Sequence, residues 1–157
     1  MKSLHPAPTP CVAGVIFTKA DCPVIIQSRP ERMPEFRGLI ALANYISVWT
    51  RPDITYVVNK LCKYMANPGN NHIDVFERLL RYLIGTRDLG LVYTCDNKAA
   101  PLVVYSDPSH MDCVDTSRST LAYVFFLFGQ VVSWYSKLHS FVPPPFLPPR
   151  TPCRLQT

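Results

Sequence analysis

No two of the six cysteines, Cys11, Cys22, Cys62, Cys95, Cys113 and Cys153, form a Cys-x-x-Cys pair or fall at zinc-finger spacing. The sequence therefore encodes neither a zinc ribbon nor a thioredoxin-like redox pair. Met1–Cys11 lacks the apolar stretch of a secretory leader, so the thiols read as reduced and the protein as intracellular, cytoplasmic or nuclear, rather than secreted. A membrane span is excluded in the same way: the longest apolar run, Leu121–Phe128, is far too short and gives way to the turn chemistry of Gly129-Gln130. There is also no internal repeat, which sets aside solenoid architectures.

Proline is scarce in the middle of the chain. Of sixteen prolines, six lie in Met1–Pro34 and six in Pro143–Pro152, leaving only Pro52, Pro68, Pro101 and Pro108 between. The two ends, 1–34 and 138–157, read as extended or disordered segments around a folded middle. A hydrophobic content of 48% over 157 residues is enough to build a modest core. The formal charge of +5 suits a polyanionic partner without demanding one.

Within that middle the apolar period is first helical. Phe36, Leu39, Ile40, Ala43 and Ile46 follow Pro34 at three- and four-residue steps and predict a helix with these residues inward. Thr50-Arg51-Pro52-Asp53 supplies a capping residue, a proline at the helix start and an early carboxylate for a second helix carrying Ile54, Val57, Val58, Leu61, Cys62 and Met65. After Asn67-Pro68-Gly69 a third helix begins near His72, with Phe76, Leu79, Leu80 and Leu83 inward and Gly85 as its C-terminal stop. His72 reads as a helix-start residue rather than a metal ligand.

From Gly90 the period becomes that of strands: Leu91–Thr94, a turn over Cys95–Ala100, Leu102–Ser106, then Thr120–Phe128 and Val131–Tyr135 joined by Gly129-Gln130. Both faces of Thr120–Phe128 are apolar, so this strand expects cover on each side, and Trp134 with Phe125–Phe128 reads as core. Tyr105-Ser106-Asp107 delivers a carboxylate to the end of an apolar strand. That arrangement suits a rigidly held metal ligand, but on spacing alone the better reading is an aspartate opening a turn.

Thr50-Arg51-Pro52-Asp53-Ile54, Asn67-Pro68, His72, Arg81-Tyr82-Leu83 with Gly85-Thr86, Gly90-Leu91-Val92-Tyr93, Tyr105-Ser106-Asp107, Ser119-Thr120, Tyr123-Val124-Phe125 and Ser133-Trp134-Tyr135-Ser136-Lys137 stand in this order. From Phe36 to Lys137 their order and spacing resemble copia-type retrotransposon Pol polyproteins, where the reverse transcriptase runs into RNase H. The resemblance implies an α+β architecture: a helical connection segment over 35–88, then an incomplete antiparallel RNase H-like sheet over 89–137. By the same resemblance Asp107 corresponds to the first RNase H carboxylate, a ligand of the magnesium ions that cleave the RNA of an RNA–DNA hybrid.

The chain departs from that pattern where the chemistry is densest. The family reads Ala-Asp-Trp-Ala-Gly-Asp after its first aspartate, whereas here Pro108-Ser109-His110-Met111-Asp112-Cys113 follows, so the second and third acids become Ser109 and Cys113. The family's Ser-Thr-Glu-Ala-Glu-Tyr segment is replaced by Phe141–Arg150, as a reading-frame shift through proline codons would produce. The polymerase signature Tyr-x-Asp-Asp is nowhere in the sequence. A magnesium pair needs several hard oxygen ligands, so the expectation is an inactive remnant that binds no magnesium tightly and has poor solubility from exposed sheet edges.

A different class of function, a non-catalytic module binding nucleic acid or a protein partner such as intact Pol polyprotein copies, would draw on Lys60, Lys63, Arg78 and Arg81. Against that, Asp74–Arg78 and Glu77–Arg81 stand four residues apart and would satisfy each other on a solvated face. His110 and Cys113 are two ligands at most, too few for a zinc site.

Overall fold

A computed structural model describes residues 5–23, 33–94, 100–109 and 112–140. Two compact units divide the chain, Met1–Leu89 and Gly90–Thr157. Among the described residues the architecture is α+β, with three α-helices followed by an open three-stranded antiparallel sheet.

In the first unit, α1 (Met33–Trp49), α2 (Thr55–Cys62) and α3 (Asn70–Gly85) surround one apolar core. Ile40, Ile54, Val58, Leu61 and Leu79 are completely buried, and Phe36 meets Phe76 edge-on at 5.4 Å between ring centroids. The inward face of α1 is Phe36, Ile40, Ala43 and Ser47, while Leu39 and Ile46, expected inside, point outward. Apolar residues on both sides of this helix leave its periodicity ambiguous, and Ser47 is admitted to the core because its hydroxyl donates to the Asn44 carbonyl at 2.8 Å. On α2 the expected stripe is inward over Ile54, Val57, Val58 and Leu61, but the helix closes at Cys62 and Met65 lies in the following turn.

Thr50 is not the cap of the second helix. Its hydroxyl turns back to the Ile46 carbonyl of α1 at 3.2 Å, and Arg51 takes the N-terminal position of a 3-10 turn, Pro52–Ile54, that leads into α2. Gly85 does end α3, but its backbone is not left-handed; a Cβ there would lie 2.7 Å from the Pro6 side chain, so the glycine serves close approach.

Residues 5–23 are irregular yet packed. Ala7 and Phe17 are buried in the helical core, Tyr64 donates its hydroxyl to the Phe17 carbonyl at 2.8 Å, and a short 3-10 turn spans Lys19–Asp21. Gly69, the residue before α3, sits so near this strap that a Cβ would collide with the Asp21 carbonyl oxygen. Proline content signals the absence of regular structure here, and the two buried apolar side chains supply the docking that composition does not reveal.

The second unit is the sheet, ordered β1 (Leu102–Pro108), β2 (Thr120–Leu127), β3 (Gln130–Leu138). Leu91–Thr94, expected as a strand, is irregular; side chains tie it to β3, Tyr93 donating to the Val131 carbonyl at 2.8 Å and Gln130 Nε2 to Thr94. The hairpin turn falls one residue earlier than its glycine suggests, on Phe128 (φ 47°) and Gly129 (φ 78°). Two consecutive left-handed residues are what a two-residue turn between twisted strands requires, and phenylalanine is a strained occupant of the first. A bulge follows between Phe125 and Phe126, which face Ser133 and Val131 and leave Val132 over.

The expected burial of the sheet is not met among the described residues. Phe125, Phe126 and Trp134 are only half-buried, and Phe128 is half exposed. The strands stack aromatic on aromatic instead: Tyr123 lies parallel to Tyr135 at 5.3 Å and edge-on to Phe125 at 5.1 Å. The Cys95–Ala100 turn lies outside the described residues except for Ala100, and so do His110 and the Pro-rich stretch from Phe141 onward.

Candidate functional site

Asp107 stands on β1 opposite Ala122 of β2, and it is exposed. The strand carries it to the sheet's end as its sequence position implies. The residues after it close the end rather than open it. The Ser109 amide donates to the Thr120 carbonyl at 2.9 Å, its hydroxyl donates to the same oxygen at 3.2 Å, and the Thr120 amide donates to the Ser109 hydroxyl at 3.1 Å. Ser109 thus works as a neutral clasp between the strand ends.

Asp112, directly after the undescribed pair 110–111, accepts the Thr120 hydroxyl on both carboxylate oxygens, at 2.9 and 2.8 Å. Cys113 is buried inside the loop; its amide donates to the Arg118 carbonyl, its carbonyl accepts from Thr116 and Ser117, and its sulfur accepts the Thr116 hydroxyl at 3.1 Å. Among the described residues no three of His, Cys, Asp or Glu converge on a point that would hold a metal ion. Ser109 and Cys113, the departures read from the sequence, are held by different partners: Ser109 by Thr120, and Cys113 by Thr116, Ser117 and Arg118.

The four basic candidates do not present one face. Lys60 is buried, its ammonium 5.3 Å from the Tyr56 ring centroid, and Lys63 is exposed, 5.4 Å from that of Tyr64. Arg78 donates to the Thr9 hydroxyl at 2.9 Å across the N-terminal strap, and Arg81 is half-buried with its carbonyl accepting from the Ala7 amide. The expected Asp74–Arg78 and Glu77–Arg81 pairs are replaced, for Arg78, by this longer-range contact. His72 is buried at the start of α3 with its Nδ1 accepting from the Gly69 amide at 3.0 Å and its ring stacked on Tyr64 at 4.2 Å, the helix-start role its position suggests.

The densest polar cluster lies elsewhere, and its members are motif residues whose meeting is not apparent from their spacing. Arg51 grips Asp53 with Nε at 2.9 Å and Nη2 at 2.7 Å, and its Nη1 and Nη2 reach the Thr86 carbonyl and hydroxyl at 2.9 and 2.7 Å. Tyr82 donates its hydroxyl to Asp53 at 2.7 Å, and the guanidinium lies 5.5 Å from the Tyr82 ring centroid. Burial pushes the Asp53 carboxyl up, but the bonds from Arg51 and Tyr82 outweigh it and hold the group below the ordinary carboxylate range. The same bond to Asp53 raises the Tyr82 phenol, with burial adding to it, and Asp53 raises Arg51. This clasp binds the α1–α2 connection to the end of α3; planar bidentate pairing explains why arginine rather than lysine stands at 51.

The motif pairs Thr50-Arg51-Pro52-Asp53 and Arg81-Tyr82 with Gly85-Thr86 are therefore two halves of one structure. Over 103 residues the chain is 38% identical to the Retrovirus-related Pol polyprotein from transposon RE2 of Arabidopsis thaliana, a match covering 66% of this chain and 7% of that protein. Over 145 residues it is 30% identical to the Retrovirus-related Pol polyprotein from transposon TNT 1-94 of Nicotiana tabacum, covering 90% and 11% respectively. The chain is homologous to a segment of copia-type retrotransposon Pol polyproteins. It spans about a tenth or less of the length of these two Pol polyproteins. A shorter relative, the Secreted RxLR effector protein 161 of Plasmopara viticola, is 41% identical over 93 residues, which cover 59% of this chain and 65% of that protein. No family model matches the chain, and no solved structure matches it.

Proposed function

We propose that residues 35–88 are the connection segment at the end of a retrotransposon reverse transcriptase, that residues 89–137 are the opening strands of an RNase H-like domain, and that this chain catalyses neither parent reaction. The parent activities are RNA-dependent DNA synthesis and removal of RNA from the RNA–DNA hybrid. The observation that carries the inactivity is the pair of residues after Asp107: Ser109 is bonded both ways to Thr120, and Cys113 is a buried thiol. Paired magnesium ions require several hard, negatively charged oxygens around them. Asp107 with a committed hydroxyl and a thiol does not fit that group, and the Asp112 carboxylate is engaged by the Thr120 hydroxyl. The absence of Tyr-x-Asp-Asp from the sequence supports the same reading for polymerisation.

The test is incubation of the full chain with a labelled RNA–DNA hybrid and magnesium. No product above a protein-free blank is expected. Magnesium-dependent cleavage that disappears in Asp107→Asn would overturn the reading. A non-catalytic nucleic-acid module finds less support, because Lys60 is buried and Arg78 is engaged by Thr9, leaving Lys63 as the exposed member of the four. Hybrid binding that weakens steeply with salt, without cleavage, would reinstate it.

A further inference from the structure

Helix α1 is apolar on two opposite sides. Opposite its buried face, Leu39, Leu42, Tyr45, Ile46 and Trp49 are 43%, 61%, 64%, 37% and 65% exposed. Leu39, Leu42, Ile46 and Trp49 succeed one another by three, four and three residues, the spacing with which one helix packs along another. From Gly38 to Thr50 there is no charged residue, whereas a helix face meant for water carries charge. Gly38 falls on the same side, with open space where a Cβ would stand, so a second backbone has room to approach. The Tyr45 and Trp49 rings already lean together, 6.1 Å apart, forming a continuous aromatic end to the stripe.

We infer that this stripe is a self-association surface on which α1 of a second copy packs antiparallel, giving a two-fold dimer. A two-fold contact sets a patch against itself, and a patch without charge places no like charges opposite each other. The five side chains offer on the order of 500 Å² of apolar surface per copy, the greater part of the ~800 Å² per partner of a standard interface. Relatives narrow the choice of occupant. The match to the Plasmopara viticola protein covers 65% of that protein and the match to the RE2 polyprotein 7% of that one, so a chain much shorter than a polyprotein carries a related sequence. A second copy is the partner of matching chemistry that every such chain has at hand. The inference rests on α1 and is independent of whether the sheet descends from a nuclease.

Sedimentation equilibrium of the full chain at micromolar concentration tests it. The expected mass is twice 17.8 kDa, about 36 kDa. Leu42→Glu and Trp49→Glu, each placing a charge opposite its own copy, should raise the dissociation constant at least ~100-fold with helical circular dichroism unchanged. Leu42→Ala should raise it roughly 10-fold, and it decides the matter should the glutamate variant lose helicity. Tyr135→Lys, on the exposed sheet, should leave the dimer mass as it is. A monomeric wild-type chain, a dimer that survives Leu42→Glu with its helices intact, or a dimer dissolved by Tyr135→Lys instead would each overturn the proposal.

Discussion

The helical unit and the sheet unit are built from comparably apolar sequence and reach very different degrees of closure. Around α1, α2 and α3 the core is closed, with five apolar side chains from the three helices and the 3-10 turn before α2 wholly shielded from water. In the sheet unit the one buried apolar residue among those described is Cys113 of the loop before β2, and the aromatic side chains of the strands cover each other only in part. The helices close on contacts between neighbours in sequence and need only short connections, whereas a sheet with apolar faces closes only when further layers cover it. Apolar content thus measures the demand for burial and not its fulfilment.

Each unit contains one tryptophan, Trp49 or Trp134, so single-tryptophan variants (Trp134→Phe or Trp49→Phe) report on the units separately. The widest contrast should come from truncating matched apolar residues. Leu79→Ala empties a sealed site and should cost the helical unit about 3–4 kcal/mol, whereas Val124→Ala in β2 should cost its unit about 1 kcal/mol or less. Equal losses in denaturant titrations would remove the distinction between a closed and an open core.

Gly69→Ala should come next, lowering the stability of the helical unit by roughly 2–3 kcal/mol, since the new Cβ would force the strap away from α3. Faster proteolysis near Phe17 in that variant would accompany it. A silent substitution would mean the strap contributes nothing to closure.

A smaller effect is expected from the clasp, where pH supplies the probe. Asp53 has its folded-state value lowered, so its contribution is present above the ordinary carboxylate value of 3.8 and is lost as pH falls through the lower folded value. Tyr82 is raised, so its contribution is intact below 10.0 and fades as pH climbs past that into the folded value. Asp53→Asn should flatten the acid limb of the Trp49 unit's stability curve and leave the Trp134 unit's curve unaltered. An acid limb that persists in Asp53→Asn would assign it to other carboxylates. The smallest change should be Phe128→Asn, which places a residue tolerant of positive φ at the turn and should gain the sheet roughly 0.5–1 kcal/mol. No gain would mean that the Phe128 ring makes up its backbone strain through contacts.

The fold class and the three helices are legible in the sequence because most apolar residues of α2 and α3 fall on one side, Tyr56 and Ile84 being exposed exceptions. For α1, apolar residues all round leave the helix evident and its orientation undetermined, which is why Leu39 and Ile46 fall outside and Ser47 inside. The turn is legible through Gly129, but glycine marks only one of two left-handed positions, so its partner is Phe128 rather than Gln130. Asp107 and its altered followers can be read from residue identity alone. The Arg51–Asp53–Tyr82–Thr86 clasp cannot, since it joins residues up to thirty-five positions apart and any arginine has many acceptors within reach. The strap is hidden for a related reason: proline announces irregular backbone, while two buried side chains decide that it stays docked.

Cys113 gives the sheet unit an internal clock. Its thiol is enclosed within the loop that runs from the end of β1 to Thr120, whereas Cys11, Cys22 and Cys62 in the other unit are half-accessible. An alkylating reagent therefore reaches Cys113 only during excursions in which that loop swings open, and its modification rate counts them. The same enclosure shields this sulfur from oxidants for as long as Thr120 keeps its hold on Ser109 and Asp112.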